Sequence, residues 1–133
     1  MEIRECTDIG KDRLLPLYES AGWTNYTRRA DMLEEAYRRS LCALGAYDGE
    51  KLVGVIRAVG DGLTILFIQD IIVLPEYQRR GVGTALLRAM TGRYSSVYQT
   101  ELLTDDTEKT AAFYRSAGFV PAGELGCAAF VRM

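Results

Sequence analysis

The chain predicts a mixed α/β domain with the element order β-α-α-β-β-β-α-β-α-β. Three observations carry this. Runs of strand composition, at 3–6, 41–47, 51–59, 63–74, 96–103 and 127–132, are separated by turn signals or by stretches of helical spacing. Asp48-Gly49 and Gly60-Asp61-Gly62 fall between consecutive runs as turns. The run 63–74 is apolar almost throughout, as expected of a strand at a central position in a sheet.

The helices follow from spacing and stop signals. Residues 10–21 place Leu14, Leu17, Tyr18 and Ala21 on one face, and Gly22 ends the helix. Residues 23–26, Trp-Thr-Asn-Tyr, read as a loop, with Thr27 capping a second helix to about Ser40. Met32, Leu33, Ala36 and Tyr37 form its apolar stripe. A third helix opens at Ala85, and a fourth runs from a cap at Asp105 or Thr107 to Ala117 before Gly118. The segments 17–23 and 113–119 echo one another, Leu-Tyr-Glu-Ser-Ala-Gly-Trp and Phe-Tyr-Arg-Ser-Ala-Gly-Phe. Seven positions describe two similar helix terminators rather than an internal repeat.

With 133 residues and no linker or low-complexity stretch, one domain spanning 1–133 is expected. A net charge of −2 argues against general nucleic-acid binding, and no apolar stretch approaches the roughly 20 residues of a membrane span. The start lacks the form of a secretory signal. Cys6, Cys42 and Cys127 have no metal-ligand spacing and suit reduced thiols in a cytoplasmic protein, so no metal is expected. Histidine is absent, which removes mechanisms that need imidazole as base or triad member.

The segment with most chemistry is Gln78-Arg79-Arg80-Gly81-Val82-Gly83-Thr84, between the apolar run and the third helix. N–H groups at a helix start lack intrahelical partners and favour anions. Glycines let a phosphate approach the backbone, and two arginines add positive charge. The competing reading is a tight turn that needs its glycines for shape alone. In the preceding run Gln69-Asp70 interrupts the apolar residues, and a carboxylate there must be paired or functional. Strand alternation predicts that Gln69 and Asp70 face opposite sides and do not line one pocket.

Val73-Leu74-Pro75 before the turn, the turn itself, and then Phe113-Tyr114 with Gly118-Phe119 carry a resemblance to the GCN5-related N-acetyltransferases, from about Leu41 onward. The resemblance implies a mostly antiparallel sheet, acetyl-coenzyme A as co-substrate, and a primary amine as acceptor, on a small molecule or a peptide or lysine. It places the pyrophosphate on Gln78 through Thr84 (Arg79, Arg80, Gly81, Val82 and Gly83 between them) and the pantetheine arm along the backbone of Ile71, Ile72 and Val73. Phe113 and Thr107 would also touch the cofactor, Thr107 standing where many members have Asn. Tyr114 is the expected general acid toward the departing thiolate, and its phenol stays protonated at neutral pH. Asp70 is the expected base or water-organiser, with a structural carboxylate paired to an arginine as the alternative. Trp23 and Tyr26 are expected to wall the acceptor site. The resemblance also admits a homodimer, and the central region is similar to plastid and bacterial serotonin/lysine acetyltransferases. A non-catalytic acyl-coenzyme A sensor and a nucleotide-binding regulator are the rival functions.

Overall fold

The strand-forming runs assemble into one five-stranded sheet: β1 (Glu2–Glu5), β2 (Cys42–Asp48), β3 (Lys51–Val59), β4 (Ile65–Val73) and β5 (Gln99–Leu102), side by side in that order. The first four pair antiparallel, and β5 joins β4 in parallel. This is the mixed, mostly antiparallel architecture expected. The computed structural model describes all 133 residues, in two compact units, Met1–Leu103 and Thr104–Met133.

In the first unit Asp48 pairs with Lys51 around Gly49, whose φ of 62° suits the tight hairpin. The β3–β4 connection is held by Asp61, whose carboxylate accepts from the backbone N–H groups of Leu63, Thr64 and Ile65. The Thr64 hydroxyl, donating to the same carboxylate at 2.7 Å, and then these backbone donors hold its pKa well below the carboxylate range.

Helices cover both faces of the sheet. A Cβ at Gly54 on β3 would lie 3.1 Å from Leu86 and 3.2 Å from Val82, so α4 (Val82–Arg93) packs closely there. Arg57, three residues further along β3, points to the opposite face, toward α1 (Lys11–Ser20) and α3 (Ala30–Arg38). Leu14, Leu17, Leu33, Leu86, Leu87 and Met90 are completely or almost completely buried. At about 1.5–3 kcal/mol per fully buried apolar side chain, these anchors outweigh the absence of side-chain N-caps on α3 and α4, while Glu34 on α3 accepts from the Lys11 N–H at the start of α1 at 2.8 Å.

Several expectations are corrected. Residues 23–26 are not simply a loop: Thr24–Thr27 forms a one-turn helix, α2, entered at Trp23. Thr27 does not cap the next helix; its hydroxyl donates back to the Thr24 carbonyl, and α3 begins only at Ala30. The run 63–74 does take an interior position, fourth of the five strands, but β5 covers it only from Ile65 to Ile68.

In the second unit, α5 (Glu108–Ser116) is capped by Thr107, whose hydroxyl accepts from the Thr110 N–H at 3.2 Å. The expected last strand, 127–132, has no ladder partner and is exposed throughout. Strand composition reports compatibility with a sheet, and no strand's hydrogen bonds meet this segment.

The echoed segments adopt the same termination. Gly22 (φ 73°) and Gly118 (φ 92°) leave their helices in the left-handed region. Trp23 N–H bonds the Tyr18 carbonyl and Phe119 N–H the Tyr114 carbonyl. The closing aromatic then packs edge-on against the tyrosine, at 5.8 Å between ring centroids in one case and 5.9 Å in the other.

Candidate functional site

The glycine turn is built by two left-handed residues, Arg79 (φ 63°) and Gly81 (φ 81°). Positive φ at an arginine is uncommon and strained, and it brings the turn round in very few residues. Gln78 ties the turn to its strand by donating Nε2–H to the Val73 carbonyl at 3.0 Å. The first backbone bond of α4 runs from Ala85 N–H to the Gly81 carbonyl at 2.9 Å, so the N–H groups of Val82, Gly83 and Thr84 precede the helix ladder. Arg79 and Arg80 are exposed, and the Arg80 guanidinium lies 5.1 Å from the Tyr77 ring centroid. Tyr77 is itself anchored by donating its hydroxyl to Asp48 at 2.7 Å. A groove of about 150 Å³ lies beside the turn, between Arg80, Gly81 and Val82 on one side and Ile3 and Ala46 on the other. The arrangement suits a phosphate bound by backbone donors with cationic side chains at its rim.

Beyond Ile68, β4 has β3 on one side and no strand on the other. Ile71, Ile72 and Val73 therefore keep one open backbone edge, where an extended chain can add as a further strand. The Val73 carbonyl is already taken by Gln78.

The alternation expected at Gln69 and Asp70 fails. Arg57 pairs with Asp70 but Ala58 pairs with Ile68, so Gln69 is an extra residue, a β-bulge. The bulge turns both side chains toward the α1–α3 face. Asp70 Oδ2 accepts from the Tyr18 hydroxyl at 2.8 Å, and Gln69 Nε2 lies 3.4 Å from the Tyr26 hydroxyl. The Tyr18 and Tyr26 rings are 5.4 Å apart. Two consecutive strand residues thus reach one aromatic cluster.

Asp70 is 3% exposed and accepts at the same oxygen from Arg57 Nε–H at 2.8 Å. Because Tyr18 gives its only proton to Asp70, the 2.8 Å contact between Tyr18 and Tyr37 is a donation from Tyr37. The sequence misses this network. Its signal is a lone arginine in the apolar strand beside the carboxylate, Arg57 being the only arginine on β3. Burial drives the Tyr18 phenol far above its ordinary range, with Tyr37 and Asp70 adding to the shift. Tyr37 is raised too, again chiefly by burial. For Arg57 burial pulls downward, but neighbouring Asp70 more than offsets it and the net shift is upward. Trp23 and Tyr26, half-buried, close the cluster, with Trp23 5.8 Å from Tyr18 and 6.2 Å from Tyr26.

In the second unit Tyr114 is half-buried between Phe113 and Phe119, at 5.0 and 5.9 Å between centroids. Burial raises its pKa, an effect that the Thr104 side chain partly counters. Thr107 spends its hydroxyl on the helix cap and on Thr110.

Residues 39–121 match the acetyltransferase (GNAT) domain. A GNAT-family acetyltransferase of Streptococcus pneumoniae TIGR4, SP0256, superposes with a TM-score of 0.90 at 40% identity, over 99% of this chain and 96% of that one. An aminoglycoside 6'-N-acetyltransferase complexed with coenzyme A aligns with 25% identity and a TM-score of 0.61, over 72% of this chain and 56% of its own. The fold is shared with an aminoglycoside acetyltransferase, meta-AAC0020, from an uncultured soil metagenomic sample and in complex with sisomicin, at 16% identity and a TM-score of 0.72 over 99% and 95% of the two chains. No curated protein matches the sequence. With the family domain covering more than half of its length and a 40% identical relative spanning nearly all of it, the chain belongs to the GNAT acetyltransferase family.

Proposed function

We propose that the protein transfers an acetyl group from acetyl-coenzyme A to a primary amine, by direct attack of the amine on the thioester in a ternary complex. The observation that carries this is the turn at 79–84: two left-handed residues, two arginines, and the first N–H groups of α4 outside the helix ladder. Gln78 holds the turn in place, and Arg79 through Thr84 receive the pyrophosphate. The open edge of Ile71, Ile72 and Val73 receives the pantetheine arm. Phe113 and Thr107 complete the donor contacts, Thr107 through whatever its cap leaves available.

Acetyl-coenzyme A supplies the acetyl group as a thioester. A C–N bond forms as the amine attacks, the C–S bond breaks, and the Tyr114 phenol gives its proton to the departing thiolate. The raised pKa keeps that phenol protonated across the neutral range. The proton lost by the amine passes to water. Asp70 serves as a positioning group rather than the base, since Arg57 and Tyr18 already engage its buried carboxylate. Trp23 and Tyr26 face the acceptor.

The test is a screen for released thiol across alkylamines, arylalkylamines, polyamines, aminoglycosides and peptides, followed by Tyr114→Phe. We expect kcat to fall about 100-fold with the KM for acetyl-coenzyme A unchanged, the low end for a lost general acid because a thiol of pKa about 8.5 leaves readily. Unchanged turnover would refute the acid assignment. One observation favours a second reading, a non-catalytic acyl-coenzyme A sensor: the one buried carboxylate on β4 already accepts at Oδ2 from both Arg57 and Tyr18. Tight coenzyme A binding with no amine acetylated would select the sensor. Calorimetric preference for ATP over coenzyme A would overturn both.

A further inference from the structure

We propose that Gln69 is a specificity-determining contact for the acceptor amine, set in place by a β-bulge that the buried Arg57–Asp70–Tyr18 network holds. The inference rests on the acetyltransferase reading and deepens it.

In an unbroken strand Gln69 would face away from Asp70. The extra residue opposite the Arg57–Ala58 step removes that alternation. A bulge costs ladder hydrogen bonds and persists where surrounding contacts fix it. Here the fixing contacts are the two 2.8 Å bonds on Asp70 Oδ2, one from the strand opposite and one from α1. They pin the residue next to the bulge from two directions. Gln69 is thereby left exposed, at the rim of a cluster of Tyr18, Trp23 and Tyr26 whose centroids lie 5.4 to 6.2 Å apart.

The chemistry of the rim is specific. With Nε2 directed at the Tyr26 hydroxyl, the carboxamide offers Oε1 as a neutral acceptor. Trp23 and Tyr26 offer aromatic surface to an alkyl or aryl stem, and a π-face to a cation. No carboxylate hydrogen-bonds to Gln69, Trp23 or Tyr26. One neutral acceptor beside apolar rings matches a monoamine on an apolar stem. A polycationic, hydroxyl-rich aminosugar would leave most of its donors without partners. A neutral acceptor also holds the free amine, the nucleophilic form, without favouring the ammonium.

The experiment measures thiol release with phenethylamine and butylamine for the wild-type protein and for Gln69→Ala, Gln69→Met and Tyr18→Phe. Methionine keeps the volume of the stem and removes the carboxamide. We expect Gln69→Ala and Gln69→Met each to raise the amine KM about 3- to 10-fold, with the KM for acetyl-coenzyme A unmoved. Tyr18→Phe removes one of the two bonds holding Asp70 and is expected to reproduce part of the amine KM increase. An unchanged amine KM in both Gln69 variants overturns the proposal, as does an equal rise in both KM values. An aminoglycoside turned over with higher kcat/KM than either monoamine overturns the substrate class. If the wild type acetylates no amine, the reading beneath the proposal fails; calorimetric binding of phenethylamine to wild type and Gln69→Ala then decides the contact by itself. Gln69 is exposed, so its variants are not at risk of unfolding, and they decide the outcome if Tyr18→Phe does not fold.

Discussion

Removing the Asp70 carboxylate is the perturbation whose cost the structure defines best. Asp70 is 3% exposed and Arg57 6%, and they meet at 2.8 Å. Asp70→Ala leaves the guanidinium buried without its counter-charge, the Tyr18 hydroxyl without its acceptor, and a small cavity. Breaking one side of a buried pair costs about 3–5 kcal/mol, and the orphaned hydroxyl adds roughly another 1 kcal/mol. Against a total stability of about 5–15 kcal/mol this is a large fraction. The corresponding fall in Tm is roughly 10–25 °C for a chain of this size. Asp70→Asn keeps the volume and an acceptor oxygen but loses the charge, and belongs between wild type and alanine. The assay is urea unfolding followed by Trp fluorescence. Trp23 is the only tryptophan, and it packs against Tyr18 inside the cluster being perturbed. The double change Asp70→Leu with Arg57→Met removes both charges and is expected to recover much of the loss, because the penalty comes from an unpaired charge rather than from a lost attraction. If Asp70→Ala costs less than about 1 kcal/mol, or if the double variant is no better than alanine alone, the reasoning fails.

Other perturbations test the turn and the buried titrating groups. Gly81→Ala adds a Cβ that meets nothing within 4 Å, so its cost is that of holding alanine at φ 81°, about 1–2 kcal/mol. We expect a modest loss of stability together with a raised KM for acetyl-coenzyme A, read by thiol release; weakened amine binding alone would count against the turn as donor site. The Cys6 thiol, 5% exposed, is pushed up to about 12, mainly by burial and then by neighbouring Cys42. In the unfolded chain that thiol ionises near its ordinary value, so above pH 9 the unfolded state binds fewer protons than the folded one. Stability is therefore complete below pH 9 and falls toward pH 12, and the raised Tyr18 and Tyr37 phenols act in the same direction. Urea midpoints between about pH 7 and 11 check this, and a midpoint rising with pH would refute it. Thiol titration at about pH 8 should show one fast cysteine in the folded protein, the exposed Cys127, and three after unfolding.

What the sequence makes legible is what neighbouring residues determine. The hairpin at Gly49, the strand-to-helix turn at Gly81 and the glycine stops at Gly22 and Gly118 need particular residues at particular steps. The donor half of the candidate site is made of such steps, and so it is readable. The acceptor half is not. Arg57 and Asp70 lie thirteen residues apart, and a turn confined to Gly60–Gly62 would place Arg57 opposite Ile65. Their pairing depends on the longer connection between the strands and on the bulge at Gln69. A bulge leaves no local mark, because any residue tolerates being the extra one once its neighbours are held. The one-turn helix at Thr24–Thr27 is hidden for a related reason. It is too short for a periodicity, and packing of Trp23 and Tyr26 on Tyr18 selects it.

The two echoed helix ends separate local from tertiary information most sharply. Tyr18 and Tyr114 occupy the same place in nearly the same sequence, before the same glycine stop, with the same backbone bond and the same edge-on aromatic. Every local rule treats them alike. Their chemistry diverges through what surrounds the hydroxyl. Tyr18 has no exposed surface, and its phenol is committed to Asp70 and Tyr37, so its proton is unavailable to any substrate. Tyr114 is only half-buried, and no carboxylate or second phenol holds its hydroxyl, whose raised pKa the Thr104 side chain tempers. If side-chain surroundings decide the role, Tyr18→Phe should act through stability and the amine KM, and Tyr114→Phe through kcat. Equal effects of the two substitutions on kcat would mean that the cap, which they share, is what the reaction depends on.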